Sequence, residues 1–455
     1  MEDNRNRTHE PRRSRSIPTV STVLPSGALV EMIYDPTASR SGFVVWERGA
    51  WRVEPSIVLA GGHQLVPYSP HNNLLRNEVV LLPSGPADYG SEAELVGAIQ
   101  RFIHGYTDLS PIFEKIASYY VLLSWIYDRF SELPYLRFRG DPGTGKTRSL
   151  LIIGSLCYKP IFASGASTVS PLFRILDAFR GTLIIDEADF RLSDERAEVT
   201  KILNQGNAKG FPVLRSEVSG KRGEFNPRAY AVFGPKLVAT RGAFDDRALE
   251  SRFLTEEMGH ATLRDDIPIS LPATYKEEAL RLRNQLLLFR FRRFGDTAMV
   301  EDLVDRTIEP RLNQIFVPLL SLAGDPQVRA ELRELAQRYN RELVVERGMD
   351  AEAYILEILR DLLAGTDETA VSVKTITSCF IERHGFEYDR KITPRWVGGL
   401  IRRRLGLLTH KSHGVFVVAR TELPKLPRLC RRYGVDMGTT APAFGDVGTL
   451  NGDRS

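Results

Sequence analysis

Residues 140–147 read Gly-Asp-Pro-Gly-Thr-Gly-Lys-Thr, which fits the pattern G-x-x-x-x-G-K-[ST] through Gly140, Gly145, Lys146 and Thr147. No other stretch of the 455 residues restricts the fold as strongly. Glycines let successive backbone N–H groups curl around a polyphosphate, and a helix starting at the lysine turns the positive end of its dipole towards that charge. Such a loop has to sit between a strand and a helix. Both are in the pattern: residues 135–139 (YLRFR) read as a strand, and residues 147–156 are apolar at helical spacing. Gly140, Asp141, Pro142, Gly143, Thr144, Gly145, Lys146 and Thr147 are thus the candidate ATP-binding residues. Lys146 would reach the β- and γ-phosphates, and the Thr147 hydroxyl would coordinate Mg²⁺.

Thr182-Leu183-Ile184-Ile185 is a fully apolar run that ends in Asp186-Glu187. A continuous apolar run suits a central parallel strand covered on both faces. Asp186 would hold the hydration shell of Mg²⁺, and Glu187 would polarise the water that attacks the γ-phosphate.

The combination resembles an AAA+ ATPase of the helicase type, as found in plasmid and phage superfamily 3 and minichromosome-maintenance replication proteins. The resemblance covers roughly residues 132–260 and implies an α/β P-loop core with a parallel sheet. Residues 186–189 also spell DEAD, but no second RecA-like domain follows, so the spelling is coincidental.

Further segments extend the resemblance. Residues 236–240 (KLVAT) form a third apolar strand, and its last residue, Thr240, falls at the sensor-1 position, where the family more often has Asn; the alternative is a Thr at the end of an ordinary strand. The run from Asp245 to Phe253 resembles the segment ending in the arginine finger, with Arg252 the first choice and Arg247 the second. A finger acts on a neighbouring protomer's γ-phosphate and so implies a ring, expected to be a hexamer. The alternative is a pair of surface arginines bridged to Asp245, Asp246 or Glu250. Arg311, at the start of a leucine-rich helical run, takes the place of a sensor-2 arginine reaching the nucleotide. Between the second and third strands, residues 212–233 read as strand, glycine-flanked basic tip and strand. By resemblance this is a pore hairpin whose Lys221 and Arg222 touch a threaded DNA strand; read plainly, it is a solvated turn. Residues 148–181 hold no aromatic-hydrophobic-glycine pore loop of the protein-unfolding motors.

Charge divides the chain. Residues 371–434 carry fourteen Lys/Arg against four Asp/Glu, a net +10 in a chain whose total is +4, so one basic module sits on a mildly acidic body. From Ala351 to Ala419 the order of three helices and a hairpin suggests a winged helix, the alternative being a basic solvated face or a protein-docking wing. Thr393 is the expected N-cap before Pro394, and Val397, Leu400, Ile401 and Leu405 form the buried stripe. Arg395, Arg402, Arg403 and, at the hairpin tip, Lys411 are left outward as DNA-binding candidates.

The expected organisation is a disordered tail over 1–26, a β-rich module over 27–90 with a hairpin around Glu47–Trp51, an ATPase core over 91–260, a helical lid over 261–346, a winged helix over 347–434 and a flexible tail over 435–455. Cys157, Cys379 and Cys430 form no CxxC pair, and no run approaches the roughly 18 apolar residues of a membrane span, which suggests a reduced cytoplasmic protein. Two readings follow: an ATP- and Mg²⁺-dependent DNA helicase or translocase acting in replication of a mobile element or its host, or an ATP-gated DNA-binding initiator that does not translocate. Primase and nuclease constellations are missing from the pattern, so such chemistry would come from a replication partner.

Overall fold

The computed structural model describes residues 16–164, 169–186, 193–216, 227–244, 246–259, 263–297, 300–348, 351–364, 370–385, 392–412 and 414–436. They fall into two compact units, one ending at Glu334 and one beginning at Leu335. The division lies inside a helix rather than at the expected boundary of 346/347.

The first unit opens with β1 (Ser16–Pro18), β2 (Ser21–Val23), β3 (Leu29–Asp35), β4 (Arg40–Glu47), β5 (Ala50–Glu54), β6 (Ile57–Val58) and β7 (Gln64–Val66). Strands β2-β3-β4-β5 form an antiparallel sheet, and β1-β7-β6 a second one in which β1 runs parallel to β7. The expected tail is thereby corrected over residues 16–26. Two three-residue strands carry too little pattern to be read locally: β1 exists by pairing with the distant β7, and β2 by pairing with β3. The expected hairpin is present: Arg48 and Gly49 both have positive φ, 52° and 83°, the pairing that a two-residue turn between right-twisted strands requires.

Three helices follow: α1 (Asn73–Arg76), α2 (Glu92–Tyr106) and α3 (Pro111–Trp125). A capping box starts α2, with Ser91 Oγ accepting from the Glu94 N–H and Glu94 Oε2 accepting from the Ser91 N–H at 2.7 Å. The core comprises β8 (Tyr135–Arg139), α4 (Lys146–Leu156), β9 (Ile161–Ser164), α5 (Val169–Phe179), β10 (Leu183–Asp186), α6 (Ser193–Gln205), β11 (Val213–Arg215), β12 (Arg228–Tyr230), β13 (Lys236–Thr240), α7 (Arg247–Glu250) and β14 (Phe253–Glu257). Five strands make one parallel sheet in the order β14-β8-β13-β10-β9. Its three central strands are almost wholly buried, which is why Leu183–Ile185 and Leu237–Ala239 are apolar without alternation, while β8 and β13 also bury Arg137 and Lys236. The chain thus has a mixed α/β architecture.

Helices α8 (Thr274–Arg293), α9 (Pro310–Leu322) and α10 (Pro326–Gly348) come next. A buried charge cluster ties the elements of this unit together. Arg290 of α8 donates to Glu31 of β3 at 2.7 Å and forks onto Asp128 at 2.9 and 2.7 Å. The Lys159 ammonium lies 2.9 Å from the same Glu31, and the Tyr158 hydroxyl donates to it at 2.7 Å. Burial pushes Lys159 down to about 8, against the pull of Glu31.

The second unit holds α11 (Ala351–Ala364), β15 (Ala370–Ser372), α12 (Val373–His384), α13 (Pro394–Arg403), β16 (Thr409–Ser412), β17 (Val415–Ala419) and α14 (Leu426–Tyr433). The strands pair antiparallel in the order β15-β17-β16 around a core that includes Ile355, Leu359, Ile376, Phe380, Val397 and Ile401. Among the described residues no helix is long and apolar enough to cross a membrane.

Candidate nucleotide-binding site

The glycine loop leaves the end of β8 and enters α4, whose N-cap is Gly145. Gly143 and Gly145 have φ of 84° and 90°, which L side chains rarely adopt. Gly140 is required for another reason: a Cβ there would lie 2.6 Å from the Met258 carbonyl oxygen, since the chain leaving β14 presses against the loop. Lys146 folds back over the loop and donates to the carbonyls of Gly140 at 2.7 Å and Asp141 at 2.6 Å. Those are the bonds that a polyphosphate would replace. Asp141, Pro142 and Thr144 sit on the outer rim, where the Thr144 hydroxyl donates to the Asp141 carbonyl at 2.9 Å.

Across the loop, Thr147 Oγ1 donates to Asp186 Oδ2 at 2.8 Å. One hydroxyl and one carboxylate on adjoining elements suit a hard cation that keeps its waters and takes its remaining ligands from phosphate. Among the described residues no group of three or more His, Cys, Asp and Glu could hold a metal by itself. Glu187 lies outside the described residues.

Strand β13 runs between β8 and β10, and Thr240 ends it opposite Arg139, the last residue of β8. Its carbonyl accepts from the Gly140 N–H at 3.2 Å. Its hydroxyl is buried and, among the described residues, has no hydrogen-bond partner. An orphaned buried hydroxyl carries a cost that an incoming polar group removes.

Arg252 is placed elsewhere. It precedes β14, where its carbonyl accepts from the Tyr135 N–H, so it stands at the opposite end of the sheet from the glycine loop. Five residues of strand separate the two ends, about 15 Å. The guanidinium donates from Nε to Asn207 Oδ1 at 2.9 Å and from Nη1 to Asn204 Oδ1 at 2.6 Å and the Ala248 carbonyl at 2.7 Å. Burial, and next the neighbouring Arg311 charge, lower its pKa. Arg311 opens α9 as expected, but the structure does not bring it to its own chain's phosphate loop: it donates to the Ala248 carbonyl at 2.9 Å and to Ser251 Oγ at 3.0 Å. Two guanidinium groups therefore converge on one backbone oxygen. Arg247 is exposed in the first turn of α7. Glu250 is taken up by the buried Arg137 of β8, and Asp246 caps α7.

Asn204, Asn207 and the Arg137–Glu250 pair carry no motif in the sequence. The three-residue spacing of the asparagines at a helix end hints that they share a face, but nothing in the sequence names their partner.

The base of the proposed pore hairpin is formed by β11 and β12, antiparallel with Arg215 opposite Arg228. Lys221 and Arg222 lie outside the described residues. In the second unit, Thr393 Oγ1 accepts from the Trp396 N–H at 3.3 Å and Pro394 opens α13. Arg395, Arg402, Arg403 and Lys411 are all exposed, while Val397, Ile401 and Leu405 are buried. Arg402 donates to Thr409 Oγ1 at 3.2 Å and covers the Phe416 ring, which is 52% exposed and pairs across the strands with Lys411.

No protein-family model matches this sequence, and no curated protein does. Solved structures do. The chain is similar to the Cch active helicase of SCCmec type IV, with 11% identity over 91% of this chain and 81% of that one and a TM-score of 0.40. It is also similar to the apo C-terminal region of NrS-1, with 10% identity over 86% and 96% and a TM-score of 0.35. A full-length MCM homolog from Methanopyrus kandleri shares 11% identity over 69% and 75%, again at a TM-score of 0.35. At these values the likeness carries no residue-by-residue correspondence.

Proposed function

We propose that this chain is an AAA+ ATPase that forms a ring, expected to be hexameric, and moves along or unwinds DNA at the expense of ATP. The observation that carries the ATPase reading is the convergence of Lys146, Thr147 and Asp186 at the start of α4, with the Thr147–Asp186 hydrogen bond at 2.8 Å. In this reading the loop from Gly140 to Thr147 binds the triphosphate and Lys146 leaves its two carbonyls for the phosphates. Thr147 and Asp186 hold Mg²⁺, which shields the phosphate charge when bound. Thr240 turns its unpartnered hydroxyl to the γ-phosphate or the attacking water, and Glu187 orients that water.

The ring reading rests on Arg252. At about 15 Å from its own loop, it can serve as a finger only on phosphates bound by another protomer, and Arg311 beside it adds a second cation to the same face. DNA contact is assigned to the basic residues: Lys221 and Arg222, which lie between β11 and β12 in the sequence, and Arg395, Arg402, Arg403 and Lys411 on a second unit whose helices and strands follow the order of a winged helix. Three free cysteines accord with a reducing cytoplasm.

The test is the steady-state ATPase rate with and without single-stranded and duplex DNA, compared with the Lys221→Ala/Arg222→Ala double variant. Stimulation by single strands that the double substitution abolishes supports a threading motor. A slow rate indifferent to DNA, with duplex binding intact, would replace it with the ATP-gated switch.

A further inference from the structure

We propose that Asn204 and Asn207 are positioning residues for Arg252, holding its guanidinium fork in the attitude in which a neighbouring protomer's phosphates meet it. The proposal rests on the reading of Arg252 as a finger acting between protomers.

A guanidinium presents five N–H donors in one rigid plane. Three of the bonds seen here fix that plane: Nε to Asn207, and Nη1 to Asn204 and to the Ala248 carbonyl. Among the described residues Nη2 has no acceptor. All three acceptors are neutral oxygens. A carboxylate in their place would fix the plane equally well but would compete with phosphate for the charge, whereas an amide orients the cation and leaves its charge available.

Asn204 does more than accept. Its Nδ2 donates to Asp246 Oδ2 at 3.0 Å, while Asp246 Oδ1 caps α7 by accepting from the N–H groups of Ala248, at 2.9 Å, and Leu249. One amide therefore fastens both ends of the single turn that carries the finger, Asp246 before it and Arg252 after it. The amide offers a donor to the carboxylate and an acceptor to the guanidinium at once, and the two partners fix which way round it sits. Asn207 is anchored separately, its carbonyl accepting from the Leu133 N–H at 2.8 Å ahead of β8. Both asparagines lie at the end of α6 that is remote from Asp186, since α6 begins seven residues after that carboxylate and ends at Gln205.

The experiment uses full-length protein, with Asn204→Leu and Asn207→Leu as separate variants beside Arg252→Ala and Lys146→Ala. A finger held about 1 Å out of place costs on the order of a hundredfold in rate. Each asparagine variant is therefore expected to lose between ten- and a hundredfold in kcat, with KM for ATP unchanged because the phosphate loop of the same chain is intact. Mixing decides where the defect lies. Rings of Arg252→Ala with Lys146→Ala regain activity when each supplies what the other lacks. Asn204→Leu or Asn207→Leu mixed with Lys146→Ala should regain it in the same way. If the arginine mixture recovers and the asparagine mixtures do not, the asparagines act on their own protomer and the proposal is wrong. Full activity of both asparagine variants alone would also overturn it. If even the arginine mixture fails to recover, the shared-site reading itself falls.

Discussion

The Thr147 hydroxyl donates to Asp186 Oδ2 across 2.8 Å, joining the first turn of α4 to the end of β10. In the proposed reading a Mg²⁺ ion bound with ATP has two contacts here, a direct one from the Thr147 oxygen and one through its hydration shell from Asp186. Thr147→Ala removes one of them, so the Mg²⁺ concentration for half-maximal ATPase rate should rise by about tenfold or more, while Thr147→Ser, which keeps the oxygen, should stay close to wild type. A Mg²⁺ titration of the three proteins checks this. Identical titration curves would take the metal away from Thr147.

The Arg137 side chain is buried and forks onto Glu250, which links β8 to the turn bearing Arg252. Glu250→Ala leaves the guanidinium buried without its carboxylate. Losses of about 3–5 kcal/mol are typical of a broken buried pair, and the low end is expected here because water reaches Glu250. Urea unfolding measures it. Replacing both residues, Arg137→Met with Glu250→Leu, should recover much of the loss, since two apolar side chains leave no stranded charge. A double variant as unstable as the sum of the singles would contradict that account.

Much of this was legible in the sequence, and the reason differs from place to place. The glycine loop and its flanking strand and helix were readable because a polyphosphate-binding turn permits few residue types at fixed spacing. The α13 helix was readable in detail: Thr393 caps it, Pro394 opens it, Gly406 with φ of 66° follows it, and of the expected stripe Val397, Ile401 and Leu405 are buried while Leu400 is half-buried. Other features were not readable. Ser16–Pro18 is a strand only because Gln64–Val66 lies beside it, a pairing across 48 positions that local composition does not carry. The convergence of Arg252 and Arg311 on the Ala248 carbonyl depends on how α9 packs, and a helix-opening arginine looks the same in sequence whichever end of the sheet it reaches.

Lys236 starts β13 with its ammonium fully buried, donating to the carbonyls of Val232 at 3.0 Å and Gly234 at 2.9 Å with no carboxylate among the partners seen. Burial lowers its pKa to about 7, whereas an unfolded chain keeps a lysine protonated up to about 10.4. Between those values the unfolded state binds the additional proton, so this group makes the fold more stable as pH rises across the window. Lys236→Met removes the dependence. Its thermal stability relative to wild type should therefore be most favourable near pH 7 and decline steadily towards pH 10. A difference that stays flat over that range would mean that the carbonyls hold the lysine charged throughout.

Arg402, Lys411 and Phe416 share one face of the β16–β17 ribbon, and each should leave a different mark on duplex binding. A cation that neutralises one phosphate releases counterions, and its loss reduces the slope of log K against log salt concentration by about 0.9. Lys411→Ala should show that reduction in full. Arg402→Ala should show it too, together with a loosening of Phe416, whose ring the guanidinium covers. Phe416→Ala removes no charge, so it should leave the slope unchanged, and any affinity loss should be the same at every salt concentration. Fluorescence anisotropy of a labelled duplex between low and moderate salt separates the cases. An unchanged slope for both cationic substitutions would show that this ribbon does not face the phosphates.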